Sequence, residues 1–125
     1  MKKFIFLLLI FLYIFPVKVE GKRLHKESEY QKSWCNKYNG ILEYELDDKT
    51  RVDCLTTNLA VEVDFANKWA ECVGQALYYG IRTNKEPACL LIIENGEKDL
   101  KYLKRLKCIA DKKKIKTFTI KPEQL

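Results

Sequence analysis

The chain has 125 residues, 47% of them hydrophobic and 32% charged, with a formal net charge of +6. That length suits one domain with one modest core rather than two. The basic balance favours a polyanionic partner, and no repeat, linker or low-complexity segment divides the chain.

Residues 1–21 read as a secretory signal peptide. Lys2-Lys3 is a positive start, Phe4 to Phe15 is an unbroken apolar run, and Pro16 and Val19-Glu20-Gly21 precede the expected cut at Lys22. A membrane span needs roughly 20 apolar residues, so the run is short for an anchor, although an uncleaved anchor is the alternative. Cleavage removes Lys2, Lys3, Lys18 and Glu20 and takes the net charge from +6 to +4. The expectation is an exported protein, periplasmic or secreted, whose single domain is residues 22–125. It should keep no stable membrane association after cleavage.

Leu24 to Tyr38 predicts a helix. Glu27, Tyr30, Gln31, Trp34, Cys35 and Tyr38 form one stripe, and Asn39-Gly40 ends it. Gly40 to Leu46 alternates like a half-buried strand, and Asp47 to Thr50 turns it into a hairpin with the strand around Asp53. Leu59 to Phe65 alternates again, with Glu62 and Asp64 on one face and Val61, Val63 and Phe65 on the other. The period then becomes helical through Trp69, Cys72, Val73, Ala76 and Leu77. A helix is predicted from about Asn67 to Tyr79, stopped by Gly80, with a polar loop from Ile81 to Pro87. Ala88 to Ile93 is continuously apolar, as in a strand buried on both faces. Such a strand following a helix implies a parallel neighbour. A third helix carries Leu100, Leu103, Leu106 and Ile109, with lysines outside, and Ile115, Phe118 and Ile120 mark a last strand. The predicted class is α/β: a three-layer core in the order α-β-β-β-α-β-α-β around a central mixed sheet.

All five cysteines, Cys35, Cys54, Cys72, Cys89 and Cys108, follow the predicted cut. Export makes pairing feasible, and the odd number leaves at least one thiol over. Cys54 points away from Asp53, toward a face where Cys35 of the first helix could meet it, so a Cys35–Cys54 bridge is the expected pair. Cys72 falls on its helix's apolar stripe as a small hydrophobe. No CxxC spacing and one histidine, His25, argue against zinc, and no Cys–His pair suggests a thiol nucleophile.

Asp53, Glu62 and Asp64 are the chemically informative residues. Carboxylates converging on a sheet repel one another and are costly to bury unpaired. A divalent cation relieves both problems, and an all-oxygen donor set suits magnesium or manganese. The bland alternative is a solvated sheet face with Lys68 as ion-pair partner.

The order Asp53, then Glu62-x-Asp64 on the next strand, then Gln75-Ala-Leu-Tyr-Tyr79 on a helix resembles the PD-(D/E)XK (restriction-endonuclease-like) nuclease superfamily. The helix segment is similar to the Q-x-x-x-Y motif of its RecB- and Cas4-like branch. The likeness covers about residues 24 to 120. It implies a restriction-endonuclease-like core and metal-dependent hydrolysis of nucleic acid, DNA in the first place, with Mg2+ or Mn2+ as cofactor. Asp53 and Glu62 match the two acids. Asp64 stands where the family has lysine, with Lys68 as a migrated replacement. The resemblance therefore implies Asp53, Glu62, Asp64 and Lys68 as catalytic, and Gln75 and Tyr79 as contacts to substrate or braces for the acids. It also implies Asp53, Glu62, the Val63 carbonyl and Glu27 as metal ligands; Glu27 otherwise reads as a solvated first-turn acid favoured by the helix dipole. The rival reading is a non-catalytic exported binding module on the same fold, using the basic Lys101–Lys116 face.

Overall fold

A computed structural model of the chain describes residues 22–125. The signal-peptide reading lies outside the described residues. Among the described residues, no helix is long and apolar enough to cross a membrane.

Helix α1 (Glu27–Lys37) buries Tyr30, Gln31, Trp34 and Cys35, while Tyr38 lies just past its end and is exposed. The Glu29 carboxylate accepts from the Lys26 N–H at 2.7 Å and holds the first turn. At the other end Asn39 takes the left-handed conformation, and the Gly40 N–H donates to the Cys35 carbonyl. Gly40 has a second task. Cys35 and Cys54 form a disulfide with Cα atoms 5.7 Å apart, and any side chain on Gly40 would overlap both sulfurs.

Strands β1 (Ile41–Glu45), β2 (Arg51–Leu55) and β3 (Leu59–Phe65) run antiparallel in turn. A single 3-10 turn (Ala66–Lys68) leads into α2 (Trp69–Thr83). Then β4 (Glu86–Ile92), α3 (Glu97–Lys113) and β5 (Lys116–Ile120) complete the domain, with β4 and β5 parallel to β3. The sheet order is β1-β2-β3-β4-β5, a mixed five-stranded sheet.

Three layers result. On one face Tyr30, Trp34 and Cys35 of α1 pack on Val61, Val63, Phe65, Leu90 and Ile92. On the other, Cys72 and Ala76 of α2 and Leu106 and Ala110 of α3 pack on Cys89, Leu91 and Ile93. The β4 residues alternate between the two clusters, so β4 is buried on both faces, as a continuous apolar run requires. Each fully buried Leu or Ile contributes roughly 1.5–3 kcal/mol.

Gly80 does not stop the helix. The helix continues to Thr83 and ends at Asn84 in the left-handed conformation, so the predicted loop from Ile81 is helical for its first turn. Gly80 is needed for proximity instead: a Cβ there would lie 3.1 Å from both the Lys85 carbonyl and the Pro87 Cβ.

Candidate active site

The site forms where β2 and β3 part. Their register holds only two pairs, Cys54↔Val61 and Leu55↔Ala60. Beyond them, side-chain oxygens accept the hydrogen bonds that ladder carbonyls would otherwise take. The Val63 N–H donates to Asp53 Oδ2 at 2.8 Å, and the Asp53 N–H donates to Glu62 Oε1 at 3.3 Å. In a strand, the N–H and C=O of one residue point to the same side. The Val63 carbonyl therefore opens into the same gap as the Asp53 carboxylate.

Side-chain alternation in β2 is irregular here. Val52 and Leu55 pack with Ala60 and Tyr79, whereas Cys54 joins the α1 cluster. Opposite Asp53 on β1, Glu43 has φ 51°, a left-handed backbone inside a strand, and the register shows no Glu43–Asp53 pair. The Gln31 amide of α1 bridges the break, donating to Glu43 Oε1 at 2.9 Å and to the Asp53 carbonyl at 2.8 Å. A non-glycine residue held at positive φ costs roughly 1–3 kcal/mol and persists only when its surroundings enforce it.

Glu62 and Asp64 are buried, at 3% and 7% exposure. Asp53 is half-buried and so is Glu27, at the head of α1. All four carboxyls are pushed above the usual carboxylate range, first by burial and then by neighbouring carboxylates. Glu62 is raised by burial and the Asp53 charge, and Asp53 by burial, with Glu43 adding to it. Asp64 is raised to about 7 by burial, Glu27, Asp53 and Glu71, while Lys68 pulls the other way. Glu27 is raised by burial and Asp53. Among the described residues, Asp64 Oδ2 is buried with no hydrogen-bond partner. Among the described residues, no lysine or arginine lies within 4 Å of any of these four acids.

The structure thus brings together Asp53, Glu62, Asp64 and Glu27, with Lys68 exposed beside them at the head of α2. Among the described residues, no three acidic, histidine or cysteine side chains are gathered closely enough to form a metal shell as they stand. The donor set is nevertheless hard oxygen throughout, crowded, and short of positive charge, which fits a divalent cation. Gln75 is exposed, and its side chain makes no hydrogen bond among the described residues. Tyr79 is 6% exposed and packs in the apolar cluster of Val52, Leu55 and Ala60. Glu43 and Gln31 escaped the sequence reading. The signal for Glu43 was its place opposite Asp53 across the hairpin, but its role depends on a positive φ that no local motif announces.

Fold and site together define an α/β domain with a buried carboxylate cluster at a splayed strand pair. No family model matches the chain, and no solved structure matches it. Among curated proteins, a KilA-N domain-containing protein of Acanthamoeba polyphaga mimivirus is 32% identical over 82 residues, 65% of this chain and 32% of that one. The matched stretch spans about a third of the viral protein's length.

Proposed function

We propose that the chain is an exported, divalent-cation-dependent nuclease that hydrolyses phosphodiester bonds, DNA before RNA. The observation that carries the proposal is Asp64 Oδ2, a buried carboxylate oxygen that has no partner among the described residues and is set among three further acids with no cationic side chain of those residues within 4 Å. Asp53, Glu62, Asp64, Glu27 and the Val63 carbonyl would hold magnesium or manganese. Such an ion supplies a bound water of lowered pKa and positive charge against the phosphate. Around it, Asp53 and Glu62 fix each other through the hydrogen bonds to Val63 and Asp53. Gln31 holds Glu43 and the Asp53 backbone in register. Lys68, free of any ion pair within 4 Å among the described residues, can turn its ammonium to a phosphate oxygen.

The likeness of Asp53, Glu62 and the following helix to PD-(D/E)XK nucleases supports this reading. The coarser part, contact with nucleic acid, accords with the basic outer side of α3 and with the match to the viral KilA-N domain-containing protein. The Cys35–Cys54 bridge suits an oxidising compartment. One observation favours a second reading, a binding module without catalysis: Asp64 occupies the position of the family lysine, and the acids are not gathered into a shell. Incubation with plasmid, linear DNA and RNA, with Mg2+, Mn2+ or chelator, tests the proposal. Cation-dependent cleavage lost in Asp53→Ala and Glu62→Ala is expected; binding without cleavage would establish the module instead.

A further inference from the structure

A polar cavity lies at the carboxyl ends of β3 and β4, about 390 Å³ in volume, lined by Arg23, Asn67, Asn95, Lys98, Asp99, Lys101 and Tyr102. Three of its side chains are cations, and Arg23 is the most constrained. Its guanidinium lies 3.8 Å above the Phe65 ring, and its Nη2 donates to Asn67 Oδ1 at 2.7 Å. Among the described residues, no carboxylate lies within 4 Å of it.

The acids nearby are already engaged. Glu94 accepts from the Tyr30 hydroxyl at 2.7 Å and from the Leu24 and His25 N–H groups, both at 3.2 Å. Asp99 Oδ2 accepts from the Glu94 and Asn95 N–H groups at 3.1 and 2.9 Å. Lys101 sits over Tyr102 at 4.9 Å, and Lys98 is exposed. A half-buried arginine fork stacked on an aromatic ring, with unpaired lysines beside it, is suited to a phosphate oxygen pair.

The cavity and the acid cluster share the carboxyl end of β3: Phe65, under Arg23, follows Asp64 with its side chain on the opposite face of the strand, and Asn67 comes three residues after Asp64. We propose that Arg23, Lys98 and Lys101 form a phosphodiester-binding subsite that holds the backbone of a nucleic-acid strand whose neighbouring phosphates pass the acid cluster. The subsite rests on the proposed nucleic-acid substrate, but its binding does not require hydrolysis. It also explains how a polyanion approaches four carboxylates: the cations anchor it beside them.

The test measures fluorescence anisotropy of labelled DNA and RNA 12-mers in chelator, where no cleavage occurs, at several salt concentrations. Arg23→Met, and separately Lys98→Met with Lys101→Met, should each weaken binding about 5- to 10-fold. Arg23→Met should also lower the salt slope by about 0.7 to 0.9. Lys32→Met with Lys37→Met, exposed on α1 and away from the cavity, should change affinity less than about 2-fold. Glu62→Gln should abolish cleavage in magnesium and leave binding intact, which separates failure of the nuclease reading from failure of the subsite. Unchanged affinity in both subsite variants, an equal loss in the Lys32/Lys37 control, or no binding by the wild type would overturn the proposal.

Discussion

The two flanks of β3 are built on opposite terms. Toward β4, seven register pairs run unbroken from Leu59↔Glu86 to Phe65↔Ile92, and every β4 residue from Ala88 to Ile92 is buried. Toward β2 only two pairs survive, and carboxylates take over as acceptors for the next N–H groups. One flank spends its backbone polarity on the ladder and its side chains on the core. The other releases the ladder and places charge where neither burial nor pairing satisfies it. The stable flank lets the strained one persist, and stability and chemistry therefore answer to different substitutions.

The sharpest way to break the comparison is on the stable side. Leu90→Ala, in the α1 cluster, should cost about 2–5 kcal/mol, read as a lower denaturant midpoint. Removing the Cys35–Cys54 bridge, which closes a separation of 19 residues, should cost about 3 kcal/mol. A double Cys35→Ala, Cys54→Ala variant as stable as the wild type would show that the bridge contributes nothing.

On the charged side the sign reverses. Asp64 titrates near 3.8 when unfolded and near 7 when folded, so the folded protein retains the proton across that window. Its contribution to stability is greatest at the acidic end and falls as pH rises through 7. Thermal unfolding without divalent ions should drop by a few degrees between pH 5 and pH 7.5. Magnesium at pH 7.5, or Asp64→Asn, should recover most of the loss. A flat profile would mean the acids are not crowded. The smallest effect is expected at Gly80→Ala, about 1 kcal/mol destabilising, because its Cβ presses on Pro87 even though alanine favours helix.

Much of the fold was readable because its signals are local. The alternation of Leu59–Phe65, the apolar run into Ile93 and the α1 stripe are periodicities that burial enforces directly. The position of Cys35 on that stripe, and of Cys54 on the strand beneath it, made their pairing legible as well. Gly80 misled because glycine both ends helices and permits close approach; only the neighbouring Pro87 decides between them, and that is tertiary. Tyr79 fits a motif spacing and an apolar face equally well, and the β2–β3 cluster claimed it for packing. Glu43 and Arg23 had no motif. One depends on backbone strain, and the other on a stacking partner 42 positions away in sequence, Phe65. In the site, Asp53, Glu62 and Asp64 were visible because acids at strand positions need a reason, but the pairing of Asp53 and Glu62 with backbone N–H groups required the splayed ladder.

Calorimetric titration with manganese at pH 7.5, repeated in buffers of different ionisation enthalpy, tests the central claim most directly. Carboxyls held above their usual range must release protons when a cation displaces them. The account predicts saturable binding with net proton release, both lost in Asp53→Asn combined with Asp64→Asn. No saturable binding, or binding unchanged in that double variant, would contradict it.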